Sequence, residues 1–216
     1  TWYWNRYPGA RCDVKSIDYS FSFDEALQQE WEWTEKYATQ PEILRYANHV
    51  ADRFDLRRDI QFETKVTSAR YQESVARWTI ETDQGDEFDA QFYIFASGCL
   101  SVPKTVDIRG QTNFTGSTYH TADWTIDGVD FSGKRVAVIG TGSSAIQSMP
   151  IIAAQATQLT VFQRTPAFSM PALNQSVAPE VQANWKESYS SRRHTARHSS
   201  FGVPDYPMDK SAFDVT

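Results

Sequence analysis

The sequence predicts an α/β fold built around a Rossmann-like nucleotide-binding unit. Three observations carry this reading. Val136, Ala137, Val138 and Ile139 form a short β-rich apolar run, followed at once by Gly140-x-Gly142-x-x-Ala145. Ala145, Ile146, Met149, Ile152 and Ala153 then recur at helical spacing, and a second β-rich run, Gln158–Gln163, comes after them. Upstream, between residues 60 and 96, β-rich runs separated by turn formers predict an antiparallel β meander.

Composition narrows the function classes. The chain has 216 residues, 40% of them hydrophobic, which is enough for a core. Aromatic residues make up 14%, with seven Trp, and exclude a disordered chain. A net charge of −6 gives no support to a nucleic-acid surface. The two cysteines, Cys12 and Cys99, fit neither a metal spacing nor a disulfide framework and suit a reducing cytoplasmic setting. No apolar run approaches membrane-spanning length, so no membrane partner is expected.

Taken in order, residues 1–23 are dense in aromatics and turn formers, among them Trp2, Tyr3, Trp4, Tyr7, Pro8, Gly9 and Tyr19, and predict an ordered loop. Such a loop either lines a ligand site or is pinned to the surface by its aromatic anchors. Residues 24–38 predict a short helix bearing Trp31, Trp33 and Tyr37. Thr39-Gln-Pro41-Glu42 reads as a helix start with Thr39 as N-cap. Ile43, Leu44, Ala47, Val50, Ala51 and Phe54 give that helix its apolar face, with His49 at its surface. Three strands are expected next: Ile60–Thr64 running into Val66–Tyr71, then Arg77–Thr82, then Phe88–Ala96. Residues 99–133 read as loop, and residues 178–198 as a helix. His194 and His198 stand at metal-ligand spacing, but no third ligand is evident. The run Arg192–His198 therefore reads as a solvated face, and no metal site is assigned.

The glycine motif carries the chemistry. Gly140 permits the tight turn, Gly142 lets the backbone approach a pyrophosphate, and Ala145 lets helix and strand pack closely. The helix N-terminus adds free N–H groups and a partial positive charge. The end of the second strand selects the nucleotide. An acidic residue there would bond a ribose 2′-hydroxyl, whereas Gln163-Arg164-Thr165 favours a 2′-phosphate, hence NADP.

Phe114-x-Gly116-x-x-x-His120-x-x-x-Trp124 lies upstream of the glycine motif. This spacing resembles the fingerprint of the Baeyer–Villiger monooxygenases, flavoproteins that use FAD and NADPH. Trp2-Tyr-Trp-Asn-Arg-Tyr-Pro-Gly-Ala-Arg-Cys-Asp13 resembles the same family, most closely its phenylacetone and steroid monooxygenase types. The resemblance covers essentially the whole chain. It implies a partial flavoprotein of two dinucleotide-binding domains, Rossmann-like for FAD and for NADP, with the β meander and the start of a helical insert. The implied division is 1–105 for part of the FAD-binding domain, 106–133 for a linker bearing the fingerprint, 134–168 for the first part of the NADP-binding domain and 169–216 for the insert.

The implied reaction inserts one oxygen atom of dioxygen next to a ketone carbonyl, giving an ester or lactone. Thr1, Trp2, Tyr3 and Trp4 match a flavin-contacting segment, and Asp13 and Tyr19 match residues near the flavin ring. Val66 matches the strand position that meets the FAD adenine. Arg11, Cys12 and Asp13 match a stretch that also touches the nicotinamide half of NADP. Thr141, Gly142, Ser143, Ser144, Ala145, Ile146 and Gln147 match the pyrophosphate turn, and Arg164 with Thr165 the 2′-phosphate site. Asp13 is the implied catalytic residue, holding an active-site arginine and tuning its charge. His120 belongs to a linker that couples the two domains rather than to acid–base chemistry.

The chain also departs from the pattern. Thr125 follows the fingerprint tryptophan where Pro or Asp is usual, and Cys99 stands where Gln is common. Both bear on substrate range. The family's first glycine loop is expected before residue 1 and its active-site arginine after residue 216, so the sequence reads as an internal segment that is inactive alone. Related flavin N- and S-oxygenases carry Tyr or Phe in place of Trp124. A non-catalytic NADP-binding remnant is the third reading.

Overall fold

The computed structural model describes residues 2–98, 100, 102–104, 106–166, 168–200 and 202–204. The chain divides into two units, Thr1–Ala47 with Pro103–Thr216, and Asn48–Val102.

The first unit holds the glycine motif. Strand β4 (Arg135–Ile139), helix α3 (Ser143–Gln155) and strand β5 (Gln158–Phe162) follow one another as the sequence predicts. β4 and β5 pair in parallel, Arg135 opposite Gln158 through Ile139 opposite Phe162. Pro150 sits inside α3 and removes one helical N–H, yet the helix continues for another turn.

The same unit carries α1 (Glu25–Glu30), the start of α2 (Gln40–Arg53) and α4 (Pro179–Arg197). Asp24 caps α1, accepting the Leu27 N–H at 2.7 Å. The helix stops at Glu30, so Trp31, Trp33 and Tyr37 are not helical as expected. The reason is tertiary. Residues 34–36 run beside residues 175–177, with Lys36 N–H donating to Gln175 and Val177 N–H donating to Thr34, both at 2.9 Å. That pairing satisfies the backbone in an extended form that a helix could not share. Trp31, Trp33, Phe21 and Tyr46 instead form a ring cluster with centroids 5.0–6.0 Å apart.

Thr39 precedes α2, its carbonyl accepting the Ile43 N–H at 3.0 Å. Glu42, Ile43, Tyr46 and Val50 are buried, whereas Ala47 is exposed. The inner face therefore keeps Ile43 and Val50 of the predicted stripe, with Tyr46 taking the place given to Ala47. Glu42 is buried because both its oxygens are used: Thr34 donates its N–H at 2.8 Å and its hydroxyl at 2.9 Å.

α4 matches the predicted helix, with Pro179 in its first turn. Its arginines correct the solvated-face reading. Arg192 clamps the carboxylate of Asp18 at 3.2 and 2.6 Å, and Arg193 donates to the Asp18 and Ser20 carbonyls, each at 3.0 Å. Both turn inward because the 18–20 loop offers a carboxylate and carbonyls as acceptors there. His194 and His198 stack with centroids 4.5 Å apart.

The second unit holds a three-stranded antiparallel sheet, β1 (Val66–Gln72), β2 (Arg77–Thr82) and β3 (Glu87–Ala90), in that spatial order. Tyr71 faces Trp78 across the first pair, and the ion pairs Arg70–Glu81 and Arg77–Asp89 cross the sheet. Two predicted extensions are absent. Residues 60–64 form no strand, because Glu63 takes φ +51° and breaks the extended backbone. β3 ends at Ala90 rather than Ala96, since its partner β2 starts at Arg77 and pairs only as far as Trp78 opposite Ala90. Beyond it Phe92, Ile94 and Phe95 are exposed.

Candidate functional site

The site is built at the C-terminal edge of β4. Gly140 takes φ +102°, open to glycine and strained for other residues, and turns the chain from strand to helix. Its N–H donates to the Phe162 carbonyl at 2.9 Å, tying the turn to the end of β5. A Cβ on Gly140 or Gly142 would meet nothing within 4 Å, so both glycines border open space. Gly142 caps α3 without a side-chain bond. The Ile146 N–H makes the first helical bond, to the Gly142 carbonyl at 3.0 Å. The N–H groups before it form an open donor set, backed by the helix dipole, at the mouth of that space. This arrangement fits a pyrophosphate.

The end of β5 adjoins the same turn. Gln163 donates from Nε2 to Thr141 Oγ1 at 2.9 Å, and Arg164 follows it, exposed. Ala145 is buried, as close packing of helix and strand requires.

The fingerprint segment is held against α3. The Phe114 ring lies on Gly116, where an added Cβ would stand 2.5 Å from it, so a larger residue there would turn the ring aside. Thr121 Oγ1 lies 3.3 Å from Ser144 Oγ in the first turn of α3. His120 Nδ1 accepts the Ala122 N–H at 3.1 Å, which commits that nitrogen to the local turn. Trp124 packs between Tyr119 and Phe131, at 5.6 and 6.3 Å between centroids.

The N-terminal loop meets α3 one turn further on. Gln147 donates from Nε2 to Asp13 Oδ1 at 2.7 Å and to the Arg11 carbonyl at 3.2 Å. Its Oε1 accepts from the Tyr7 hydroxyl at 2.9 Å and from the Arg11 N–H at 3.3 Å. Gly9, at φ +77°, lies on the helix backbone, where an added Cβ would be 2.3 Å from the Gln147 carbonyl oxygen. Burial, and then the charge of Asp13, pushes the Tyr7 phenol up. Burial also pushes the Cys12 thiol up, against the Val14 N–H that lowers it. Arg11 pairs with Glu35 at 3.4 Å.

Trp2 and Tyr19 also come together, the indole donating to the Tyr19 hydroxyl at 2.9 Å. Tyr3 and Trp4 are exposed and pack edge to face at 4.8 Å. Val66 opens β1 in the second unit. Thr1 and Cys99 lie outside the described residues. Tyr7, Glu35 and Thr121 had no signal in the sequence beyond their places near the motifs, because their partners are distant in the chain.

Residues 13–201 match the model of the pyridine nucleotide-disulphide oxidoreductases, and the chain belongs to that family. Its particular relatives are monooxygenases. It is 46% identical over 216 residues to the acetone monooxygenase (methyl acetate-forming) of Gordonia sp. (strain TY-5), covering 100% of this chain and 40% of that protein. It is 59% identical to oxidized steroid monooxygenase bound to NADP, with a TM-score of 0.92 over 100% of this chain and 41% of that one. It is 40% identical to OTEMO in complex with FAD and NADP, with a TM-score of 0.86 over 94% of this chain and 39% of that one. The chain thus spans about 40% of the length of the relatives it matches. These similarities bear out the resemblance to the Baeyer–Villiger monooxygenases and the two-dinucleotide-domain fold class.

Proposed function

We propose that the protein is an NADPH- and FAD-dependent monooxygenase of Baeyer–Villiger type. Its substrates are a ketone and dioxygen, and its product an ester or lactone. The observation that carries this reading is the open donor turn at Gly140–Ala145, with the fingerprint segment bonded to its helix at Thr121–Ser144. The relatives supply the reaction class, since one forms methyl acetate and others hold NADP or FAD with NADP.

When bound, NADPH supplies a hydride and FAD the oxygen-transfer chemistry. The chain's own residues hold and orient. Gly140, Thr141, Gly142, Ser143, Ser144, Ala145 and Ile146 form the pyrophosphate cradle. Arg164 supplies a charge-assisted contact to the 2′-phosphate, with Thr165 beside it. Trp2, Tyr3, Trp4 and Tyr19 present aromatic surface to the flavin, Thr1 continues that segment, and Val66 meets the FAD adenine. Arg11, Cys12 and Asp13 face the nicotinamide side. Asp13 is the catalytic carboxylate, which orients a cation towards the developing negative charge. Phe114, Gly116, His120 and Trp124 hold the linker between the two nucleotide domains. Residues 1–105 and 134–168 belong to these domains, 106–133 to the linker and 169–216 to the insert. No helix among the described residues is long and apolar enough to cross a membrane. The cysteine usage suits a reducing setting, and on that ground we assign the protein to the cytoplasm.

The test supplies the intact protein with FAD, NADPH and a panel of ketones, and follows oxygen uptake and ester formation by gas chromatography. Ester formation coupled to NADPH oxidation is expected. N- or S-oxides from amines or sulfides, with no ester from any ketone, would move the assignment to the related oxygenases. NADP binding without flavin retention would refute the enzyme reading.

A further inference from the structure

The side chain of Gln147 belongs to the nucleotide helix, yet it makes its bonds elsewhere. A carboxamide has two N–H donors and two acceptor lone pairs. All four are taken by the loop of Tyr7, Arg11 and Asp13. The amide orientation is fixed, because its oxygen meets two donors and its nitrogen two acceptors. Phosphate contact by the same amide would have to break one of these bonds. Gly9 adds an independent contact, since its backbone rests on the Gln147 carbonyl with no room for a Cβ. The loop is anchored again on its far side, where Arg11 pairs with Glu35 and the backbone of Arg11 bridges to Thr39.

We propose that Gln147 is a positioning residue that couples the seating of the nucleotide on α3 to the placement of Asp13. Movement of the first turns of α3 on nucleotide binding carries the Gln147 amide with it. Asp13, held at 2.7 Å by that amide, moves with the helix, and Tyr7 and Arg11, bonded to the same amide, move with it. This inference rests on the proposed function for the role of Asp13. The coupling itself is a property of these residues.

The first measurement uses hydrogen–deuterium exchange on the intact protein, with NADP+ as the probe. Gln147→Leu should lose protection in residues 7–14 without nucleotide, while α4 and β1–β3 keep theirs. NADP+ should protect residues 7–14 in the parent protein and not in this variant. The second measurement is kinetic. Gln147→Leu should lower the rate of NADPH-driven reduction about tenfold, the order expected for a lost bond to a charged group, while the KM for NADPH changes less than about threefold.

Gln147→Glu keeps the shape and supplies a third readout. The groups facing the side chain are Tyr7, Arg11 and Asp13, with Cys12 and Glu35 next to them. In its protonated form the introduced carboxyl donates to Asp13 as the amide does. Ionised, it repels Asp13, and the like charge raises its pKa. This variant should therefore approach the parent rate at low pH and lose it as pH rises, a limb that the parent lacks. Three results would overturn the proposal: unchanged exchange in residues 7–14, nucleotide protection that persists in Gln147→Leu, or a loss confined to KM. If the parent oxidises no NADPH, the functional reading fails, and the exchange data still decide the coupling.

Discussion

Replacing Gly9 with alanine should destabilise the first unit by two separable effects. The residue sits at φ +77°, where an L side chain costs about 1–2 kcal/mol. The added Cβ would also stand 2.3 Å from the Gln147 carbonyl oxygen and 3.1 Å from its carbonyl carbon. Those atoms are helix backbone and cannot rotate away, so relief requires the loop or α3 to shift, at about 1–3 kcal/mol. The sum is about 2–5 kcal/mol. At roughly 2–4 °C per kcal/mol for a chain of this size, melting should fall by about 4–20 °C. Gly133→Ala isolates the first effect, so its difference from Gly9→Ala measures the second. Gly133 has nearly the same backbone, φ +72°, but a Cβ there would meet nothing within 4 Å. Its loss should be only the backbone part, roughly 2–8 °C. The assay is a pair of melting curves recorded in one buffer. Melting points that agree within about 2 °C would refute the close approach of loop and helix.

The remaining predictions concern the site. Arg164→Ala should weaken NADPH far more than NADH, by about 1.5–3 kcal/mol for a lost charge-assisted bond; equal weakening in steady-state kinetics would contradict the 2′-phosphate assignment. Asp13→Ala should slow both flavin reduction and oxygenation while FAD stays bound, and stopped-flow traces with both rates intact would remove Asp13 from the machinery. Tyr7 tests the electrostatics. Its phenol is pushed up by burial and then by Asp13, so its stabilising effect is present below the ordinary value of about 10 and fades as pH rises through the higher folded value. The melting gap between the parent and Tyr7→Phe should therefore narrow in alkaline buffer; a gap that holds constant from about pH 8 to 11 would be inconsistent with the shift.

The parts legible in the sequence were those whose cause is local. β4, α3 and β5 could be placed because an apolar run, a glycine turn and a helical period each act over a few residues. The helix over 179–197 has its own start signal in Pro179. The misread elements have distant causes. Trp31 and Trp33 follow α1 directly in the chain, but residues 175–177 claim the adjoining backbone as an extended pair. Phe92–Ala96 has strong strand character, yet a strand exists only where a partner continues, and β2 begins too late to supply one. Arg192 and Arg193 look like surface charge until Asp18 and the Ser20 carbonyl are brought beneath them. The candidate site divides in the same way. The cradle could be read from its glycines, whereas the bonds of Gln147 join residues 134 to 140 positions apart.

The fingerprint shows how a short pattern can hold a helix that it does not contain. A helix N-terminus recognises phosphate only if its axis is fixed relative to the rest of the site, because the donors share one direction. The segment from His120 to Phe131 touches α3 at both ends: Thr121 meets Ser144 in the first turn, and the Phe131 N–H donates to Gln155 Oε1 in the last residue at 3.3 Å. Between these contacts Trp124 fills the space between Tyr119 and Phe131. His120 shapes the turn into the segment by accepting the Ala122 N–H, a task that uses the lone pair of one ring nitrogen. Upstream, Gly116 lets the Phe114 ring fold back over the chain. His120 and Trp124 thus have hydrogen-bonding and packing roles within a segment that braces α3 at Thr121 and Phe131. Substitution at His120 or Trp124 should accordingly disturb nucleotide binding and the link between the domains before it alters the chemistry at the ketone.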